Sequence, residues 1–172
     1  MQKLNSLWYI CRQNEIFLIT ASLVIITDQL SKLWIKSNLA VGESVFEIGF
    51  FRLTYVQNTG SSFGLFQNQN LVLSIVAITG ACIILFLVFF MRQRIQILDT
   101  TLGRLSLGLI FGGTLGNLIN RLSFGYVIDF INFNYWPAFN IADSSVVVGS
   151  IILAYSLIRL TIQSERKDGK SS

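Results

Sequence analysis

Residues 71–91 form a run of 21 residues without one charged side chain. A helix of this kind has no polar face to offer water, and at about 1.5 Å per residue it covers the roughly 30 Å hydrocarbon core of a bilayer. Three further apolar stretches have similar reach: 16–35, 102–120 and 144–162. Asp28 and Lys32 stand inside the far end of the first, Arg104 near the start of the third, and Arg159 within the fourth. Only 13% of the 172 residues are charged and 52% are hydrophobic; a soluble domain carries about a quarter charged residues. The expected fold class is therefore a membrane protein, mainly α, with four transmembrane helices in one domain over residues 1–165 and a polar tail at 166–172. A cleaved signal peptide is the rival reading of the first stretch. Asp28 and Lys32 stand where its small-residue cleavage site would lie, which rejects it.

The cations orient the spans. Lys3 and Arg12 precede the first; Arg92, Arg94 and Arg104 lie between the second and third; Arg159, Arg166, Lys167 and Lys170 end the chain. Lys32, Lys36, Arg52 and Arg121 fall on the other side. The excess of Lys and Arg marks the cytoplasmic face, so both termini are expected there. The net charge of +4 then reads as topology and attraction to anionic lipid, with no nucleic-acid surface implied.

Two outer segments remain, 36–70 and 121–143. The first holds Phe46-Glu47-Ile48-Gly49-Phe50-Phe51-Arg52-Leu53-Thr54-Tyr55-Val56, rich in aromatic and β-branched residues, and then the turn-forming Asn58-Thr59-Gly60-Ser61-Ser62-Phe63-Gly64. The second is aromatic from Tyr126 to Phe139. Short strands are expected in the first, and strands or an interfacial loop in the second; a small extracytoplasmic sheet at the membrane surface then serves as a platform for an extended peptide. Trp34 and Trp136 fall where an aromatic belt would be.

Composition removes several chemistries. The chain has no histidine, so a Ser-His-Asp triad, a Cys-His pair and His-ligated zinc are excluded within it. Cys11 and Cys82 are far apart and read as apolar packing residues. No metal and no cofactor are expected. Among the nine acidic residues, Asp28, Asp129 and Asp143 lie near the outer ends of spans, where polar groups are costly to keep. Asp143 precedes an apolar helix and has the plain reading of an N-cap. Asp129 interrupts the apolar Val127-Ile128-Asp129-Phe130 with no cation beside it. Two carboxyls brought together there can share a proton, one as base and one as acid, which is what peptide hydrolysis by an activated water requires. Asp28 and Lys32, at i,i+4, suit either a structural ion pair or a substrate contact. Gly108, Gly112 and Gly116 line one face of the third span, with Gly113, Asn117 and Arg121 on a neighbouring face. Small residues at that spacing serve helix packing, within one chain or between two.

Taken in order, Asp28-Gln29-Leu30-Ser31-Lys32, Asn58-Thr59-Gly60-Ser61-Ser62-Phe63, Gly112-Gly113-Thr114-Leu115-Gly116-Asn117-Leu118-Ile119-Asn120-Arg121, Val127-Ile128-Asp129-Phe130 and Phe139-Asn140-Ile141-Ala142-Asp143-Ser144-Ser145 resemble the motifs of bacterial lipoprotein signal peptidase (signal peptidase II). The likeness spans about residues 23–160. It implies an aspartic endopeptidase of the bacterial inner membrane that cuts prolipoproteins on the amino side of a diacylglyceryl-modified cysteine and is inhibited by globomycin. It implies four transmembrane helices with a β-cradle and a periplasmic helical segment, in an enzyme expected to be a monomer among membrane lipids. By motif, Asp129 and Asp143 match the catalytic pair. Asn58, Gly60, Asn117, Arg121 and Asn140 match polar positions of the site, and Asp28 and Lys32 the end of the first helix.

Two positions depart from the family pattern. Asn120 stands where the family usually has Asp, which removes a charge that would orient Arg121. Ser61-Ser62 stands where Ala-Ala is common, making that loop more polar. Three rival functions are weaker. A channel or transporter would need polar residues across the second and fourth spans. A Ser31-Lys32 peptidase would need adjacent helix residues, about 100° apart, to face each other. A helical scaffold leaves the ordered polar motifs unexplained.

Overall fold

The structure, a computed structural model, describes residues 14–60, 67–91 and 94–168, with side chains to 164. Expectations for Lys3, Cys11, Arg12, Arg92, the Ser61-Ser62 pair and the side chains of the 166–172 tail lie outside the described residues.

Among the described residues, four helices are long and apolar enough to cross a membrane. They are α1 (Glu15–Asn38), α2 (Asn70–Phe86, prolonged by a π-turn, Leu87–Met91), α3 (Thr101–Phe124) and α4 (Ile141–Asp168). Their outward faces are apolar, as lipid contact requires: Leu23, Ile26 and Leu30 on α1, Val72 and Ile75 on α2, Ile151 and Ile158 on α4 are all exposed. The third helix is the most buried and packs against the other three. It starts at Thr100, whose side chain accepts the Gly103 amide (2.9 Å), and stops at Gly125, whose φ of 79° closes a left-handed C-cap.

Glycine allows the close approach of α1 to α3. A Cβ at Gly108 would come 2.9 Å from the Phe17 carbonyl oxygen, and one at Gly112 would come 2.8 Å from that of Ala21. Gly149 of α4 is equally tight against the Ser106 carbonyl of α3, at 2.8 Å. The glycine face thus serves packing within this chain.

Between α1 and α2 lie β1 (Ser44–Ile48) and β2 (Phe51–Asn58); between α3 and α4 lie β3 (Val127–Phe133) and β4 (Trp136–Phe139). They form one antiparallel sheet in the order β1-β2-β3-β4. Ile35 and Leu39, at the end of α1, pack with Tyr55, Ile128 and Phe130 and so seat the sheet on the bundle. A second apolar cluster, Phe17, Val88, Ile97, Leu98 and Leu107, holds the helices together at the opposite end.

Candidate active site

Register decides which face of the sheet carries polar groups. From Phe51 to Leu53, β2 pairs with β3 as Leu53↔Ile131, but farther on the pairing is Val56↔Asp129 and Asn58↔Val127. The strand holds one extra residue between, a β-bulge. Without it Tyr55 would oppose Asp129 and Asn58 would fall on the far face, because a one-residue slip inverts every side chain. With it, Asn58 and Asp129 share a face, and Asn58 Nδ2 donates to Asp129 Oδ2 at 2.9 Å. Asn58 Oδ1 accepts the Gly60 amide at 2.9 Å, closing the turn that leaves β2.

Helix α4 begins at Ile141 rather than Ser144, and this alters the reading of Asp143. The N-cap is Asn140: its Oδ1 accepts the Asp143 amide (2.9 Å), while Asp143 Oδ2 accepts the Asn140 amide (3.3 Å). Asp143 is the reciprocal member of a capping box, so its position in the first turn is fixed by the backbone. Asn140 is fully buried, and its Nδ2 donates to Asp129 Oδ1 at 2.6 Å. One asparagine therefore touches both carboxylates, one across the sheet and one across its own helix start.

Behind this pair stands a buried chain of polar groups. Lys32 Nζ donates to Asp28 Oδ2 (2.8 Å) and to Asn117 Oδ1 (2.9 Å). Asn117 Oδ1 also accepts from Asn140 Nδ2 (3.1 Å), which turns Asn117 Nδ2 toward Asp143 Oδ1 at 2.8 Å. Asp28 Oδ1 accepts the Ala142 amide (2.9 Å), an orphan donor in the first turn of α4. Asp28 and Lys32 are fully buried; of their two sequence readings the geometry matches the structural ion pair. Gly116 lets the Asp28 carboxylate reach this place, since a Cβ there would lie 2.7 Å from Asp28 Oδ2.

Asp129 is itself fully buried on its strand. Burial first, and then the neighbouring Asp143, raise its pKa to about 7, against the hydrogen bonds from Asn58 and Asn140 and the charge of Lys32. Its proton is thus exchangeable near neutrality, the range useful for acid–base work.

Among the described residues, several cavities open on the carboxylates. One of about 360 Å³ is lined by Asn58, Asp129, Trp136, Phe139, Asp143 and Val148. Another of about 410 Å³ runs between α2, α3 and α4, from Val76 and Gly80 to Asn117, Arg121 and Asp143. Arg121 Nη2 donates to the Gly60 carbonyl (3.3 Å). Its neighbour Asn120 faces away from it toward α1 and β3, so the expectation that position 120 orients Arg121 is corrected: adjacent helix residues diverge by about 100°. Ser31 Oγ donates to the Asp28 carbonyl within its own helix (2.8 Å), and Lys32 is tied to Asp28, so no Ser-Lys pair forms. Sequence reasoning missed Gln29, whose Nε2 donates to Asp28 Oδ2 (2.9 Å); its place inside the first motif was the available signal.

A sequence model of the family described as signal peptidase (SPase) II matches residues 20–159. The lipoprotein signal peptidase of Moorella thermoacetica is 48% identical over 143 residues, covering 83% of this chain and 92% of that one. The lipoprotein signal peptidase of Dehalococcoides mccartyi is 42% identical over 157 residues, 91% of this chain and 95% of that one. Among solved structures, a bacterial membrane enzyme determined by the in meso method at 2.3 Å resolution superposes with a TM-score of 0.74 at 28% identity, over 84% of this chain and 88% of that one.

Proposed function

The chain belongs to the signal peptidase II family, aspartic endopeptidases that remove signal peptides from lipoproteins, and on that premise we propose that it cleaves with Asp129, Asp143 and a water molecule on the amino side of a diacylglyceryl-modified cysteine. The observation that carries this reading is the Asn140 bridge. A single buried residue holds Asp129 through its side-chain amide, accepts the Asp143 amide on its side-chain oxygen and gives its own backbone amide to the Asp143 carboxylate, where two cavities meet.

The substrate's signal helix enters sideways and lies in the apolar cavity between α2, α3 and α4. Its cleavage segment extends along β4, and its acyl chains stay in lipid. One carboxylate takes a proton from water as the oxygen adds to the scissile carbonyl carbon, while the other, protonated, donates to the carbonyl oxygen. Collapse of the tetrahedral intermediate breaks the C–N bond. The amine of the lipidated cysteine leaves with a proton from the pair, and the signal peptide leaves as a carboxylic acid. Arg121, beside Asp143, supplies donors for the substrate carbonyl or the oxyanion. Asn117 and Asn140 hold the carboxylates in place. The two acids titrate as a coupled pair, so base and acid are roles of the pair. We place the enzyme in the bacterial inner membrane as a monomer, termini in the cytoplasm and the carboxylates at the outer face, where globomycin-type inhibitors compete with substrate.

The test is a gel-shift cleavage assay in detergent or liposomes with a diacylglyceryl-modified prolipoprotein, run beside its unmodified form. Cleavage before the lipidated cysteine is expected from the parent chain. Asp129→Asn and Asp143→Asn each lower turnover by about three orders of magnitude or more while the protein stays folded. Full activity in either variant removes that residue from the pair.

A further inference from the structure

Asn120 is buried between α1, α3 and β3, at 1% exposure. Its Oδ1 accepts the backbone amide of Ile128 (3.2 Å), and its Nδ2 donates to Gln29 Oε1 (3.2 Å). Gln29 Nε2 in turn donates to Asp28 Oδ2 and to the Gly116 carbonyl, both at 2.9 Å. The polarity of this relay is set at its ends. A backbone amide only donates, so the oxygen of residue 120 must face β3. The Gly116 carbonyl and the Lys32-paired Asp28 carboxylate only accept, so the nitrogen of Gln29 must face them and its oxygen is left toward residue 120. Position 120 therefore needs one acceptor and one donor, which an amide has and a carboxylate lacks.

Ile128 directly precedes Asp129 and is fully buried. Its amide is taken by Asn120, and its carbonyl accepts from Asn140 Nδ2 at 3.3 Å. The step of β3 that carries the Asp129 carboxyl is thus pinned from α3 and from the start of α4. We propose that Asn120, linked to Gln29 on one side and to the Ile128 amide on the other, is a positioning residue for Asp129. The role in turnover rests on the aspartate mechanism proposed above. The geometry runs against the reading of an aspartate at 120 as the residue that orients Arg121. A carboxylate there meets Gln29 Oε1 oxygen to oxygen, or turns Gln29 over and leaves Asp28 and Gly116 each short of a donor. It also adds a negative charge near the charged groups that already act on Asp129, which are the anion Asp143 from α4 and the cations Lys32 from α1 and Arg121 from α3, beside the neutral donors Asn58 of β2 and Asn140.

The experiment compares the parent chain, Asn120→Asp, Gln29→Lys and the double variant Gln29→Lys/Asn120→Asp. Two readouts are taken: kcat and KM on a lipidated prolipoprotein, and infrared titration of the carboxyl band that Asp129→Asn removes. Asn120→Asp is expected to lower kcat by about tenfold to a hundredfold, as a small misplacement of a reacting group does, with KM within about twofold. It is also expected to move the Asp129 titration to higher pH. Gln29→Lys alone sets donor against donor at Asn120 and lowers kcat similarly. It serves as the second variant if Asn120→Asp does not fold. The double variant regains most of the lost kcat and the parent titration, because a lysine at position 29 donates to Asp28, to the Gly116 carbonyl and to the introduced carboxylate together. Parental kcat and titration in Asn120→Asp, or a double variant no better than the singles, overturns the proposal. Absence of cleavage by the parent counts against the peptidase mechanism alone. The infrared titration, which needs no turnover, then decides the positioning claim.

Discussion

Asn58 and Lys32 act on the carboxylates from opposite sides, and each makes a separate prediction. Asp129 has a pKa raised to about 7, so it sheds its proton as pH rises through neutrality, and a pair that needs one proton loses activity above that point. The hydrogen bond from Asn58 favours the ionised form. Asn58→Leu removes it, and the alkaline limb of the kcat profile should move to higher pH; a limb that stays or moves down contradicts this account. Lys32 is fully buried between Asp28 and Asn117. Lys32→Met leaves the Asp28 charge unpaired in the interior and should cost about 3–5 kcal/mol of stability. Adding Asp28→Asn should recover a large part, measured by thermal unfolding in detergent. Equal losses in the single and double variants would mean that the pair is not coupled. Asp129 was legible in the sequence as an acid in an apolar run with no cation beside it, and Asp143 as an acid with a capping reading at the start of a span. The hydrogen-bonding polarity of Asn117, Asn120 and Asn140 was not, since an amide is donor or acceptor according to what faces it.

Among the elements, helix contact is decided by glycine. Gly116→Ala would drive a methyl into the Asp28 carboxylate at 2.7 Å, and Gly112→Ala would drive one into the Ala21 carbonyl at 2.8 Å. Each should destabilise by about 1–3 kcal/mol through overpacking, and Gly116→Ala should also reduce turnover by displacing Asp28 from the start of α4. Gly80 on α2 has nothing within 4 Å of its Cβ position, so Gly80→Ala should stay within about 0.5 kcal/mol. Unfolding midpoints of the three variants check the contrast. The stripe was visible in the sequence as small residues every fourth position. Its partner, α1 of the same chain, was not, because a glycine face fits any close helix. The β2 bulge was equally hidden: both strands were legible from their aromatic and β-branched residues, but one unpaired residue in register sets the face on which Asn58 lies.

Across the molecule, the arrangement places the sheet at one end of the bundle and the 3₁₀ turn Gln96–Asp99 at the other. With both native cysteines replaced, Tyr135→Cys at the exposed β3–β4 tip should react in intact cells with a thiol reagent that does not cross the membrane, and Gln96→Cys should react only after permeabilisation. The opposite pattern would invert the proposed topology.

Four membrane helices, two strand-forming connections and a set of acids to consider were readable from the residues alone, because burying a charge in hydrocarbon is unfavourable residue by residue and leaves its mark along the chain. Which acids meet, through which asparagines and with what polarity, emerged only on folding. Those contacts join residues as far apart as Gln29 and Asn120 or Asp28 and Ala142. A hydrogen bond depends on the distance and direction between two groups, and these are set only when helices from both halves of the chain have packed around the sheet.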